Sequence, residues 1–133
     1  MQVNTSKRTE LIDITEMVAS EVKNAGIDNG ICIIRTAHTT TSIVINENET
    51  GLVSDIIGML ERFVPSHAGY NHDRIDNNAD SHLRSIILGS SEIVPVKNSR
   101  LSLGTWQSIF LAEFDGPRKR NVDVIIIPGG MFG

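Results

Sequence analysis

Residues 37–49, Ala37-His38-Thr39-Thr40-Thr41-Ser42-Ile43-Val44-Ile45-Asn46-Glu47-Asn48-Glu49 (AHTTTSIVINENE), set a short apolar strand between a histidine with four hydroxyl side chains and a cluster of Asn and Glu. Polar groups that enter a core must find hydrogen-bond partners or cost roughly 1–3 kcal/mol each. The polar ends of this strand therefore need a purpose. Upstream, the run from Gly30 through Ile31-Cys32-Ile33-Ile34 has the same β-branched character, which predicts strands near 30–37 and 42–48 joined by the polar HTTT link.

Working outward, Gln2 to Thr9 alternates weakly and reads as a first strand. Asp13 and Glu16 are spaced as a capping box, and Ile14, Met17, Val18, Val22 and Ala25 recur at helical spacing, so a helix is expected from about 14 to 25, stopped at Gly26. Leu52, Val53, Ile56, Ile57, Leu60, Phe63 and Val64 mark a second amphipathic helix that Pro65 ends. Residues 66–82 lack apolar periodicity, and so long an unpatterned segment in a small domain points to function or disorder. A short third helix carries Leu83, Ile86 and Ile87 on one face and stops at Gly89. Beyond it the chain reads as strands: Ser91 to Lys97, a turn at Asn98-Ser99, Arg100 to Leu103, Thr105 to Phe114, a turn at Asp115-Gly116-Pro117, and Arg120 to Ile127. The pattern is that of an α+β protein, a single domain over 1–133 with a mainly antiparallel, sandwiched or barrel-like sheet and three helices.

Composition narrows the partners. The chain has 133 residues, 40% hydrophobic and 21% charged, enough for one core. Its formal net charge is −4 with no basic run longer than Arg118-Lys119-Arg120, which disfavours a nucleic-acid backbone as partner. No segment approaches the roughly 20 apolar residues needed to span a bilayer, and the first residues do not read as a signal peptide, so no membrane partner and a cytoplasmic location are expected. The lone Cys32 lies among isoleucines and is expected to be an inert core residue.

Histidine placement is the informative chemistry. His38 closes a strand, His72 lies in the long loop and His82 sits in the first turn of the third helix, so a compact fold can bring three imidazoles together. Three histidines with an open position make a catalytic zinc site, although this spacing forms no motif and surface histidines are the plainer reading. His67 is assigned to the surface. Carboxylates stand nearby in sequence: Asp73, Asp76 and Asp80 in the loop, Glu47 and Glu49 after the strand, and Glu113 late in the chain. Each can ligate a metal, orient an imidazole or act as general base, and Asp80 can instead cap the third helix. Alternation from Thr105 to Phe114 places Trp106, Phe110 and Phe114 on one face and Gln107, Ile109, Leu111 and Glu113 on the other, so Glu113 belongs to a sheet margin or a site. Arg100, Arg118, Lys119 and Arg120 can grip phosphate or merely solubilise hairpin ends. No phosphate-cradling glycine loop and no nucleophile elbow is present, which argues against nucleotide chemistry and covalent catalysis.

Taken in order, His38-Thr39-Thr40-Thr41-Ser42, Asn46-Glu47-Asn48, Tyr70-Asn71-His72-Asp73, Ser81-His82-Leu83, Leu88-Gly89-Ser90-Ser91 and Gly104-Thr105-Trp106-Gln107 resemble the YjbQ-like family of secondary thiamine-phosphate synthase enzymes over nearly the whole chain. The resemblance implies a compact α+β subunit, a homotrimer with polar pockets near subunit boundaries, and a weak activity that joins a hydroxymethylpyrimidine diphosphate to a thiazole phosphate with release of pyrophosphate. It implies His38, His72 and His82 as metal or acid–base groups; Asn46, Glu47, Asp73, Gln107 and Glu113 as site-lining groups; and Arg118 as a phosphate contact. Asn71 departs from the acidic residue usual at its position. A divalent metal is expected: Mg²⁺ suits a diphosphate leaving group, whereas histidines suit Zn²⁺. Three functions are thus in play: the small-molecule synthase, a zinc-dependent hydrolase or lyase, and a non-catalytic trimeric binding protein whose assembly uses apolar strands such as Val124–Ile127.

Overall fold

Strand β3 (Gly30–Thr36) fixes the architecture, because its alternation sends Cys32 and Ile34 inward and Ile31 and Arg35 outward. In the computed structural model, which describes residues 1–130, β3 pairs antiparallel with β5 (Ser91–Lys97) on one side and β8 (Lys119–Pro128) on the other. Adding β1 (Gln2–Asn4) beside β8 and β6 (Arg100–Leu101) beside β5 gives a five-stranded sheet in the order β1-β8-β3-β5-β6. A second sheet, β2-β7-β4, is built from Glu10–Asp13, Ser108–Glu113 and Thr41–Asn46. Every pairing is antiparallel. With helices α1 (Thr15–Ala25), α2 (Thr50–Phe63) and α3 (Ala79–Leu88), the fold is α+β, as expected from the sequence.

Strand β7 is buried on both faces, and that makes the molecule layered. Ile109 and Leu111 join Ile43 from β4, Cys32, Ile34, Val94, Val96 and Val122 from the five-stranded sheet, and Val18 and Val22 from α1 in one core. On the opposite face, Ala112 and Phe114 pack with Leu60 of α2, with Leu11, Ile56 and Leu88 at the margin. Burying a side chain of Leu, Ile or Phe size contributes about 1.5–3 kcal/mol. The central strand therefore anchors both cores.

Several boundaries differ from those expected. The first strand stops at Asn4 because the Glu10 carboxylate accepts the backbone N–H groups of Ser6 and Lys7, both at 2.7 Å, turning the chain into β2. Asp13 receives the N–H and hydroxyl of Thr15 at the start of α1, but Glu16 does not complete a capping box. Glu49 accepts the Leu52 N–H and caps α2, which ends β4 at Asn46. Strand β7 starts at Ser108 rather than Thr105, because Gln107 folds its side-chain carbonyl back onto the Gly104 N–H at 2.8 Å. Trp106 thereby leaves the alternation and stands 72% exposed.

Helix α3 is turned opposite to its apolar pattern. Asp80, Ser81, Arg84 and Ser85 are buried, while Leu83, Ile86 and Ile87 face outward, Ile86 with 77% exposure. The reason lies in the acceptors beneath: Ser81 donates to Phe114 O at 2.6 Å, Ser85 to Thr41 O, and Arg84 to Val64 O through both Nε and Nη2. Carbonyls at the β4 and β7 ends draw in the two hydroxyls and the carbonyl at the C-terminal end of α2 draws in the guanidinium, since a buried acceptor left alone is costly.

Candidate functional site

The HTTT link supplies the first wall. Thr36 and Thr41 bond through their hydroxyls at 2.7 Å, and Thr36 Oγ1 accepts the His38 N–H, so side-chain hydrogen bonds hold the reversal between β3 and β4. His38 then lies half-buried with its Nε2 accepting the Asn121 N–H at 3.0 Å. That bond occupies the Nε2 lone pair, so neutral His38 carries its proton on Nδ1.

The second wall is the segment before α3. A turn of 3-10 helix (Asn71–Arg74) holds His72 beside His82, ring centroids 4.9 Å apart and edge to face. Asp73 accepts the Ala79 N–H at 2.9 Å and so starts α3, the role the sequence allowed for Asp80. Asp80 instead sits buried among Arg8, Arg84 and Ser66. Burial pushes its carboxyl pKa up, but the hydrogen bonds from Arg8 and Ser66 and the charges of Arg8 and Arg84 outweigh it and hold the group below its ordinary value.

His82 joins these walls. One concavity of about 550 Å³ is lined by Tyr70, His72, Ala79, His82 and Leu83; a second by His38, Thr39, His82, Ser85 and Ile86; a third by His38, Thr40, Asp76, His82, Arg118 and Arg120. All three share His82. His38, His72 and Arg118 thus border adjoining concavities that meet at His82, whereas Asp73 lines none of the three, and no three His, Cys, Asp or Glu side chains among the described residues are grouped to hold a metal ion. Asp76 lies 3.7 Å from His72 Nε2, beyond hydrogen-bond distance, and that nitrogen has no partner among the described residues. His67 is exposed and apart.

The other expected site residues divide. Asn46, Glu47 and Gln107 lie at the far end of β4 and the start of β7; Gln107 borders a separate hollow with Ile45, Glu92, Ser102 and Leu103. Within one chain they do not share the histidine cleft. Asn46 accepts the Glu47 N–H at 2.7 Å, and Asn48 donates to Asp13 at 2.9 Å, so much of the Asn/Glu cluster is turn chemistry. Glu113 has no solvent exposure and is locked to Arg120, Thr5 and the backbone, behind the cleft wall rather than in it. Cys32 is buried and its thiol is pushed up to about 11 by desolvation, the inert state expected.

Tyr70, Asn78 and Asp115 line the cleft without having been singled out as site residues. Asp115 read only as part of a turn; its carboxylate accepts from Arg118 at 3.0 Å and from Asn78 at 2.9 Å. Each cationic group at the cleft thus has a matched acid, Arg118 with Asp115 and Arg120 with Glu113.

Fold and site together define a class: a two-sheet α+β subunit with a polar, three-histidine cleft between the β3–β4 link and α3. The family model described as UPF0047 protein YjbQ-like matches residues 1–129. A UPF0047 protein from Methanothermobacter thermautotrophicus is 55% identical over 126 residues, covering 95% of this chain and 88% of the relative. The UPF0047 protein YugU of Bacillus subtilis is 40% identical, covering 90% of this chain and 91% of the relative. Among solved structures, a YbjQ-like protein of unknown function from Sulfolobus solfataricus superposes with a TM-score of 0.94 at 43% identity, covering 97% of this chain and 94% of that one. A YjbQ/UPF0047 family protein from Clostridium acetobutylicum superposes with a TM-score of 0.91 at 37% identity, covering 96% and 98%. The chain belongs to the UPF0047 YjbQ-like family.

Proposed function

We propose that the chain is a cytoplasmic small-molecule enzyme acting on a diphosphate-bearing substrate in the His82 cleft, and that its reaction is the synthase chemistry implied by the sequence resemblance. The observation that carries the reading is that His38, His72, Arg118, Arg120, Thr39 and Thr40 line adjoining concavities that all share His82. In the reaction, the thiazole nitrogen attacks the pyrimidine methylene carbon; a C–N bond forms, the C–O bond to the diphosphate breaks, and pyrophosphate departs with the electron pair. Donors aimed at the departing oxygens lower that barrier. Arg118, Arg120 and the imidazole N–H groups are such donors.

The charge balance shapes the cofactor. Both guanidiniums are already paired with acids, and Asp76 adds a further carboxylate, so a diphosphate needs positive charge brought with it. The donor set suits Mg²⁺ carried by the diphosphate and steadied by Asp76 and Asp115 better than a resident zinc, because Mg²⁺ takes one or two carboxylates plus substrate oxygens. When bound, such an ion would offset charge on the leaving group.

The proposed assembly is a homotrimer. Outward-facing Leu83, Ile86 and Ile87 on α3 support it, since Leu83 and Ile86 border the cleft and a neighbouring copy there would close it.

Pyrophosphate release from the two mixed precursors tests the reading. Release above background that needs Mg²⁺ and falls at least tenfold in His82→Ala is expected; release unaltered by that change would overturn the assignment.

A further inference from the structure

Glu113 closes β7 with no solvent exposure, and five hydrogen bonds converge on it: from Thr5 Oγ1 and Arg120 Nε to Oε1, and from Arg120 Nη2, Phe114 N and Asp115 N to Oε2. Burial pushes its pKa up, yet the bonds from Arg120, the Asp115 N–H and Thr5 hold it below the ordinary value. It is therefore a fixed carboxylate with no free lone pair facing the cleft. Its main partner, Arg120, is only 4% exposed and has Nη2 also bonded to Thr40 Oγ1 at 2.8 Å. The remaining nitrogen, Nη1, makes no hydrogen bond to the described residues, and Arg120 lines the cleft.

We propose that Glu113 is a positioning residue: it holds the Arg120 guanidinium so that the two N–H groups of Nη1 are pre-aimed at anionic oxygens of the ligand, with Thr40 clamped beside it. The proposal rests on the reading of this cleft as a diphosphate site. Because Glu113 matches the charge of Arg120, what the arginine adds for the ligand is direction rather than net charge. An exposed arginine loses side-chain freedom on binding; one already gripped at Nε and Nη2 has lost it on folding. Arg118 is also held at Nε, by Asp115 O, and at Nη2, by the Asp115 carboxylate, but its side chain is 55% exposed, so water competes for bonds that are buried at Arg120. A buried ion pair by itself contributes little to net stability, so the anchoring is better explained by the donor it presents.

The test is binding of inorganic pyrophosphate to the full chain by calorimetry, with thermal unfolding run in parallel, for wild type, Glu113→Gln, Arg120→Lys, the double variant and His82→Ala. Loss of one charge-assisted hydrogen bond weakens binding about tenfold or more. Each single substitution on the Glu113–Arg120 axis is expected to weaken binding by that factor while a cooperative unfolding transition remains, and the double variant is expected to bind no more weakly than Arg120→Lys alone. A merely structural role would leave folded Glu113→Gln binding like wild type, or would add its loss to that of Arg120→Lys; either result overturns the proposal. Should Glu113→Gln fail to fold, Thr40→Val removes only the outer arm of the clamp. It should weaken binding in the wild-type background and have no effect in Arg120→Lys; an equal effect in both sinks the idea. If wild type does not bind pyrophosphate, or His82→Ala binds it equally well, the cleft reading fails and takes this inference with it. If His82→Ala weakens binding while the axis variants do not, only this inference falls.

Discussion

Asp80 and Arg84 stand one turn apart on α3, both nearly without solvent contact, their charged atoms 3.2 Å apart. Removing one member leaves the other buried and unpaired, which typically costs about 3–5 kcal/mol. Asp80→Ala is therefore expected to lower the unfolding free energy by about that amount in urea titrations. Because the folded carboxyl is held below its unfolded value of about 3.9, its contribution is complete above that pH and lost as pH falls through the folded value. Asp80→Asn should thus lose stability at neutral pH and show a shallower decline below about pH 4, to be followed by unfolding as a function of pH. The role of Asp80 was not legible in the sequence: an acid before a helix reads as a cap, and nothing local announces Arg8, seventy-two positions away. The histidines were legible as candidates because imidazole is scarce and chemically distinctive, whereas Asp115 and Asn78 pass for ordinary turn formers. Glu113 was visible as an acid on an apolar face, but its partner Arg120 lies on a different sheet, and only that pairing tells a supporting group from one that meets the ligand.

Among the elements, the strands with clean alternation were read closely: β5 spans the expected residues, and β3 differs by a residue at its end. Alternation reports the contacts of a strand flanked by core on one side, and that holds for both. It says less where side chains fold onto backbone, which is why Gln107 moved the start of β7 and Glu10 ended the first strand at Asn4, leaving β2 unexpected. Helix α3 shows the deeper limit, for its apolar positions give the periodicity but not which side meets the core; hydroxyl donors win the inner side because β4 and β7 offer carbonyls there. Ile86→Ser should consequently change the unfolding free energy of the isolated subunit by less than about 0.5 kcal/mol, the usual range for an exposed position, measured at the dilution where the chain is monomeric. A large loss under those conditions would mean that Ile86 packs within its own chain. Backbone approach sets another limit that apolar pattern does not carry. A Cβ at Gly30 would lie 2.0 Å from Ile127 O, so Gly30→Ala must push β3 from β8, and overpacking of this kind costs about 1–3 kcal/mol; a denaturation midpoint matching wild type would show that the pair yields freely.

For the whole molecule, the outer surface of the five-stranded sheet carries more apolar character than a lone subunit of this size needs to show. Ile31 faces Ile127 across the β3–β8 pairing, and Ile33 faces both Ile125 and Ile93, with the Arg35–Asp123 ion pair at the border. Ile93, Ile125 and Ile127 are each exposed by more than two-fifths. Small subunits gain stability by covering such surface, and contiguous exposed apolar area marks an interaction site more often than scattered single residues do. This face and the outward side of α3 are two separate apolar surfaces on one chain, which suits a head-to-tail contact that closes into a ring, the geometry of the proposed trimer. Ile125→Asp places a charge in the middle of the sheet face while leaving both internal cores untouched. The expected result is a subunit that unfolds cooperatively but elutes with monomer mass in size-exclusion chromatography with light scattering; an unchanged mass would remove this face from the assembly. The same variant decides how the Asn46, Glu47 and Gln107 end relates to the histidine cleft. If a neighbouring subunit brings that end to the cleft, Ile125→Asp weakens pyrophosphate binding although His38, His72, His82 and Arg118 are intact. If the monomer binds as the assembly does, the cleft is complete within one chain and the far end of β4 serves only the turn into α2.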